Sequence, residues 1–155
     1  MLFSIASTEA NKVRIYNFDT QRRTELVYLD AVNQRDIVLL PDGRSVEMET
    51  FLKYSIPGKS GYRSFECRGV GFTWDAGASH SVVTLARDSD RAPIAKFKRR
   101  MFKKPSLVLL DANVLNDGEL MELIVVTMVI VWRGYWDMRD YLSTVIDEVI
   151  WRVLL

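Results

Sequence analysis

A chain of 155 residues, 48% hydrophobic and 26% charged, has the size of one domain and enough apolar content to bury roughly 70% of its unfolded surface. A formal net charge of +1 excludes a generally basic or acidic protein, so any electrostatic partner has to be met by a local patch. One cysteine, Cys67, excludes an internal disulfide and a secreted disulfide scaffold, and points to a reducing compartment.

Residues 1–6 carry no positive charge ahead of their apolar run, which is too short for a signal peptide. With no Asn-x-Ser/Thr site, no lipidation signature and no internal repeat, a cytoplasmic location is expected. Residues 2–6 and 13–18 read as strands around a polar turn at 9–12. In the second, Val13, Ile15 and Asn17 alternate with Arg14, Tyr16 and Phe18. Further strands are expected over 24–29 and 36–40. Pro41-Asp42-Gly43 is a turn, because proline presets its backbone angle and glycine accepts a positive φ; residues 44–48 return from it. Residues 49–54 fit either one helical turn or a strand, and 56–61 a loop.

Residues 62–68 and 70–75 read as strands joined at Arg68-Gly69. Val70, Phe72 and Trp74 alternate with Gly71 and Thr73, a period of two. Strands over 81–86 and 93–98 follow, joined by the charged turn 87–91. The last of the series, 106–110, comes after a basic segment. About ten short strands at close spacing imply a barrel or sandwich.

Eleven of the thirteen residues 120–132 are apolar, with only Glu122 and Thr127 between. Such a stretch has to be surrounded by other apolar groups, and it is shorter than the roughly 20 residues that span a bilayer. Seven β-branched residues within it favour strand, but its flanks favour helix. Asn116-Asp117-Gly118-Glu119 supplies a capping side chain with Glu three residues later. Asp117 and Glu119 suit the positive end of a helix dipole and Arg133 the negative end. Gly134 stands where a left-handed cap is expected. These signals predict a core helix over 118–133, with the barrel closed around it. A second, amphipathic helix is predicted over 137–155, capped by Asp137. Its stripe is Tyr141, Leu142, Val145, Ile146, Val149, Ile150, Val153 and Leu154, with Glu148 and Arg152 paired on the polar side.

In their order, several short motifs resemble a fungal domain family of unknown function in the tubby C-terminal-like superfamily, the group that includes the LURP-one-related and phospholipid-scramblase proteins. They are Ser64-Phe65 leading to Arg68-Gly69, Phe72-x-Trp74, Val82-x-x-Leu85, Pro93-Ile94-Ala95-x-Phe97 and Ser106-Leu107-x-Leu109. The terminal segment from Glu119 to Thr127 is the most specific of them. The resemblance implies a mainly β fold, a roughly twelve-stranded antiparallel barrel threaded by a hydrophobic C-terminal helix. It transfers no catalytic residue. On this basis residues 1–134 form the tubby-like barrel with its central helix, and 135–155 an extension beyond the resemblance.

The sharpest candidate site is 96–104, where six of nine residues are cationic: Lys96, Lys98, Arg99, Arg100, Lys103 and Lys104, with Phe97, Met101 and Phe102 between them. The bland account, favoured for charge runs in general, is a solvated hairpin with Phe97 facing the core and the charges keeping an edge soluble. The functional account is docking to anionic phospholipid headgroups, which some relatives in that superfamily do. Nucleic-acid binding is weaker than either, because no fold-level motif and no wide basic field accompany the segment. The terminal stripe either covers the barrel or meets a protein partner or second copy, with Trp136, Tyr141, Val145, Val149 and Trp151 as interface anchors. Cys67 and His80 read as a core thiol and a loop imidazole rather than a nucleophile and base. Asp88-x-Asp90 has too few partners for a calcium loop, and nothing implies a metal or cofactor. The expectation is a non-enzymatic binding module for anionic membrane surfaces, peripheral at the membrane; the alternative is protein interaction or self-assembly through 137–155.

Overall fold

Alternation of apolar and polar side chains decides most of the strands. The computed structural model describes residues 2–9, 11–28, 35–59, 61–77, 81–100, 103–135 and 149–152. These residues fall into two compact units.

The first unit holds β1 (Leu2–Glu9), β2 (Lys12–Asn17), β3 (Arg22–Val27), β4 (Ile37–Leu39), β5 (Ser45–Glu47), the single turn α1 (Met48–Phe51) and β12 (Val149–Arg152). Its antiparallel sheet runs β12-β1-β2-β3-β4-β5. On β2, Val13, Ile15 and Asn17 are buried while Arg14 is exposed. Asn17 is a polar member of this inner face because its Oδ1 accepts the Asp19 N–H at 2.9 Å and turns the chain into β3. Phe3, Ile5, Leu26 and Val38 are also buried. The β4–β5 turn is the expected one: Gly43 has φ +87°, and Asp42 Oδ1 accepts the Arg44 N–H at 3.0 Å.

The second unit holds β6 (Lys53–Tyr54), β7 (Tyr62–Cys67), β8 (Val70–Asp75), β9 (Val82–Arg87), β10 (Pro93–Arg100), β11 (Lys103–Leu109), a 3-10 turn (Ala112–Asn116) and α2 (Gly118–Tyr135). Its antiparallel sheet runs β11-β10-β9-β8-β7-β6. Phe65, Phe72, Trp74, Val83, Leu85, Ala95, Phe97 and Leu107 are among its buried side chains. The rings of Phe65 and Phe72, which face each other across β7 and β8, stack at 5.4 Å. Arg68 and Gly69 join these strands with φ +49° and +78°, the signature of a tight two-residue hairpin turn. Gly71 lets the β9–β10 turn approach, since a Cβ there would lie 2.5 Å from Asp88 Oδ2.

Helix α2 begins where Asp117 Oδ1 accepts the Leu120 N–H at 3.1 Å. From Ile124 to Val131 every residue is buried; an unbroken run of that length covers all sides of a helix. Each large aliphatic side chain so buried contributes roughly 1.5–3 kcal/mol, and packing of this kind overrides the strand preference of its β-branched residues. Indole Nε1 of Trp74 donates to Thr127 Oγ1 at 2.9 Å, and the rings of Phe97 and Trp132 lie 6.2 Å apart. The buried face of the second sheet thus packs on α2.

Several expectations need correction. Residues 49–54 are both things they could be: α1 supplies the helical turn, then β6 the strand. The cap of α2 is Asp117 rather than Asn116, and Gly134 lies within the helix, which runs on to Tyr135. The described strands number twelve rather than about ten, in two antiparallel sheets of six. The predicted terminal helix fails at its end, because Val149–Arg152 is a strand antiparallel to β1. Val149, Ile150 and Trp151 are strand-favouring residue types, and β1 offers them an edge of backbone donors and acceptors. That pairing overrides the helical spacing of the stripe.

Candidate functional site

The basic segment folds as the β10–β11 hairpin. Ala95 and Phe97 anchor β10 in the core, so the period of two turns Lys96 and Lys98 to the opposite face, where each is half-buried. The two side chains recur about 7 Å apart along the strand. Across the sheet Lys96 faces Thr84 and Val108, and Lys98 faces Val82 and Ser106. None of these neighbours is charged. Among the described residues, the ion pairs employ other cations, such as Arg14 and Arg23 with Glu25 and Arg87 with Asp90. Arg99 and Arg100 end β10, and Lys103 and Lys104 begin β11, with Arg100 facing Lys103 across an irregularity. All six cations therefore belong to one hairpin whose second strand is, among the described residues, a sheet edge. Met101 and Phe102 lie outside the described residues.

A second cluster ties hairpin β7–β8 to the start of α2. The Arg68 guanidinium reaches from its turn to Glu119 Oε2, to which it donates at 2.6 Å, and to Asp117. Asp117 first and Glu119 second push the Arg68 pKa up. In return Arg68 holds the Asp117 carboxyl below the usual carboxylate range, helped by the Leu120 N–H and opposed by burial. Beside it, burial pushes the Cys67 thiol up, with Arg68 acting against it; an unactivated thiol is a poor nucleophile. Further along β7, Arg63 is only 4% exposed, with its guanidinium 3.9 Å from the Tyr54 ring centroid.

Of the other predicted residues, Val149 and Trp151 lie on β12 opposite Ile5 and Phe3. Trp136, Tyr141, Val145 and His80 fall outside the described residues. Asp88 accepts from Thr73 Oγ1 at 2.6 Å, and Asp90 accepts from Arg87 at 2.9 Å and from the Ala92 N–H at 3.0 Å, so both carboxylates serve the turn. Among the described residues, no group of His, Cys, Asp and Glu is arranged to hold a metal ion, and no helix is long and apolar enough to cross a membrane.

Sequence reasoning missed the Arg68 and Trp74–Thr127 connections. A signal existed for the second: Thr127 is one of two polar interruptions in an otherwise apolar run, and a buried tryptophan needs an acceptor. Nothing local pairs Arg68 with residues 49 and 51 positions away.

A family model, the family of unknown function DUF6593, matches residues 1–135. The chain belongs to this family. No curated protein and no solved structure matches it. The DUF6593 span takes in β1 to β11 and α2, including the basic hairpin and the Arg68 cluster, and stops at the end of α2. Strand β12 lies beyond it.

Proposed function

We propose that the chain is a non-enzymatic binding module that docks to anionic phospholipid headgroups through Lys96, Lys98, Arg99, Arg100, Lys103 and Lys104. The supporting observation is the pair Lys96 and Lys98, two apart on one face of β10 with uncharged neighbours on both flanking strands. A cation already paired with a carboxylate contributes little to a further ligand; this pair keeps its charge available. Each cation near an anionic membrane surface contributes about 1 kcal/mol, so six give a weak, reversible and salt-sensitive attachment. The finer architecture proposed with this function is tubby-like, a barrel around the apolar helix, and the count of twelve described strands supports it. The module would work in the cytoplasm, at membrane surfaces.

Sedimentation with phosphoinositide-containing and with neutral vesicles tests the proposal. The chain should pellet with the anionic vesicles only, less at high salt, and less again for the Lys96→Gln/Lys98→Gln variant. Equal, negligible pelleting with both vesicle types removes the lipid function.

A further inference from the structure

The first six residues of β1, Leu2-Phe3-Ser4-Ile5-Ala6-Ser7, contain no charge and no proline. The strand is regular over this stretch, and its pairing with β2 shifts only between Ser7 and Glu9. A strand with these properties at a sheet edge is a template for another strand, because it has none of the lysines, prolines or bulges that blunt natural edges. One side of β1 is taken by β2, delivered by a short turn. The other side is taken by β12, which pairs with no other described strand and covers Leu2 to Ile5 only. Strand β12 comes from beyond the span matched by the family, and thirteen residues, 136–148, separate it from the end of α2. A tether of that length reaches up to about 45 Å when extended. Covalent connection therefore does not require that β1 receive the β12 of its own chain.

We infer that the β1 edge is a strand-acceptor site, and that the partner it fits is β12 of a second copy of this chain. The register serves equally well between copies: Leu2 opposite Arg152, Phe3 opposite Trp151, Ser4 opposite Ile150 and Ile5 opposite Val149. Reciprocal exchange covers both β1 edges at once and gives a closed, two-fold symmetric dimer. Every backbone hydrogen bond of the β1–β12 pair is kept in the exchanged form, so concentration governs the balance between monomer and dimer.

The test uses full-length chains carrying one new cysteine each, Ser4→Cys or Ile150→Cys. Facing residues of antiparallel strands have Cα atoms about 4.5–5.5 Å apart, within disulfide range. The two variants are purified separately, mixed and mildly oxidised. A covalent S4C–I150C heterodimer, identified by mass, is expected. A mixture of S4C with Ser45→Cys, on β5 at the opposite edge of the same sheet, should give far less. No excess over this control overturns the inference. If either variant misfolds, sedimentation equilibrium of the unaltered chain decides. Dimer should grow with concentration and vanish in Ile150→Pro/Trp151→Pro, which removes whichever of two adjacent N–H groups faces β1. A monomer at every concentration, or a dimer unchanged in the proline variant, overturns it.

Discussion

Among the described residues the two sheets have six strands each but are assembled differently. In the second, every neighbouring pair of strands is consecutive in sequence, and the helix that follows packs on the buried face. In the first, five strands are consecutive and the sixth comes from the far end of the chain. The second sheet is thus a series of local hairpins held to a helix by named side-chain bonds. The first depends at one edge on a pairing that spans most of the chain, which carries a larger loop-closure cost. A short strand held by one neighbour is the kind of element that opens before the rest.

The largest test of this contrast is Val126→Asp, which places an unpaired charge at a buried position of α2. The cost exceeds about 5 kcal/mol, and circular dichroism should show no cooperative melt. Trp74→Ala comes next, at about 3–5 kcal/mol for the cavity, read as a lowered denaturation midpoint. In the first sheet Leu26→Ala, at a fully buried position, should cost about 2–5 kcal/mol on the same scale. Thr127→Val keeps the volume but leaves the Trp74 indole N–H buried without its acceptor, at about 1–3 kcal/mol; a double-mutant cycle with Trp74→Phe should show the two losses to be non-additive.

The smallest effect is electrostatic. The folded-state pKa of Asp117 is lowered by Arg68, so its contribution is fully present above the unfolded carboxylate value of about 3.9 and is lost as the pH falls through the depressed folded value. Asp117→Asn retains a capping oxygen and removes the charge. The stability difference between the unaltered chain and this variant should be constant near neutral pH and shrink in acid, as measured by thermal melts across the acid range. A difference independent of pH would show that the Arg68 pairing adds nothing.

Much of the second unit was legible in its residues. The strict alternation of Phe72 and Trp74 with Gly71 and Thr73 placed β8 to the residue; the apolar run at 120–132 marked a buried element, and its flanks made it a helix despite its β-branched content. The charge run at 96–104 was correctly divided by Phe97, whose burial turns Lys96 and Lys98 outward. What failed was long-range. Residues 149–152 carry both a helical spacing and strand-favouring residue types, and only the presence of the β1 edge decides between them. The cap of α2 was misplaced by one residue because Asn116 and Asp117 are equally good caps; Asp117 prevails, and its other oxygen also receives Arg68.

A cylinder that is greasy on every side has no amphipathic stripe to set its rotation, and advancing it by a single residue turns it by about 100°. The hydroxyl of Thr127, meeting the indole of Trp74, supplies the missing index mark. In any other orientation the indole N–H would be stranded in hydrocarbon, so one threonine halfway along α2 selects a single seating from many of nearly equal apolar contact.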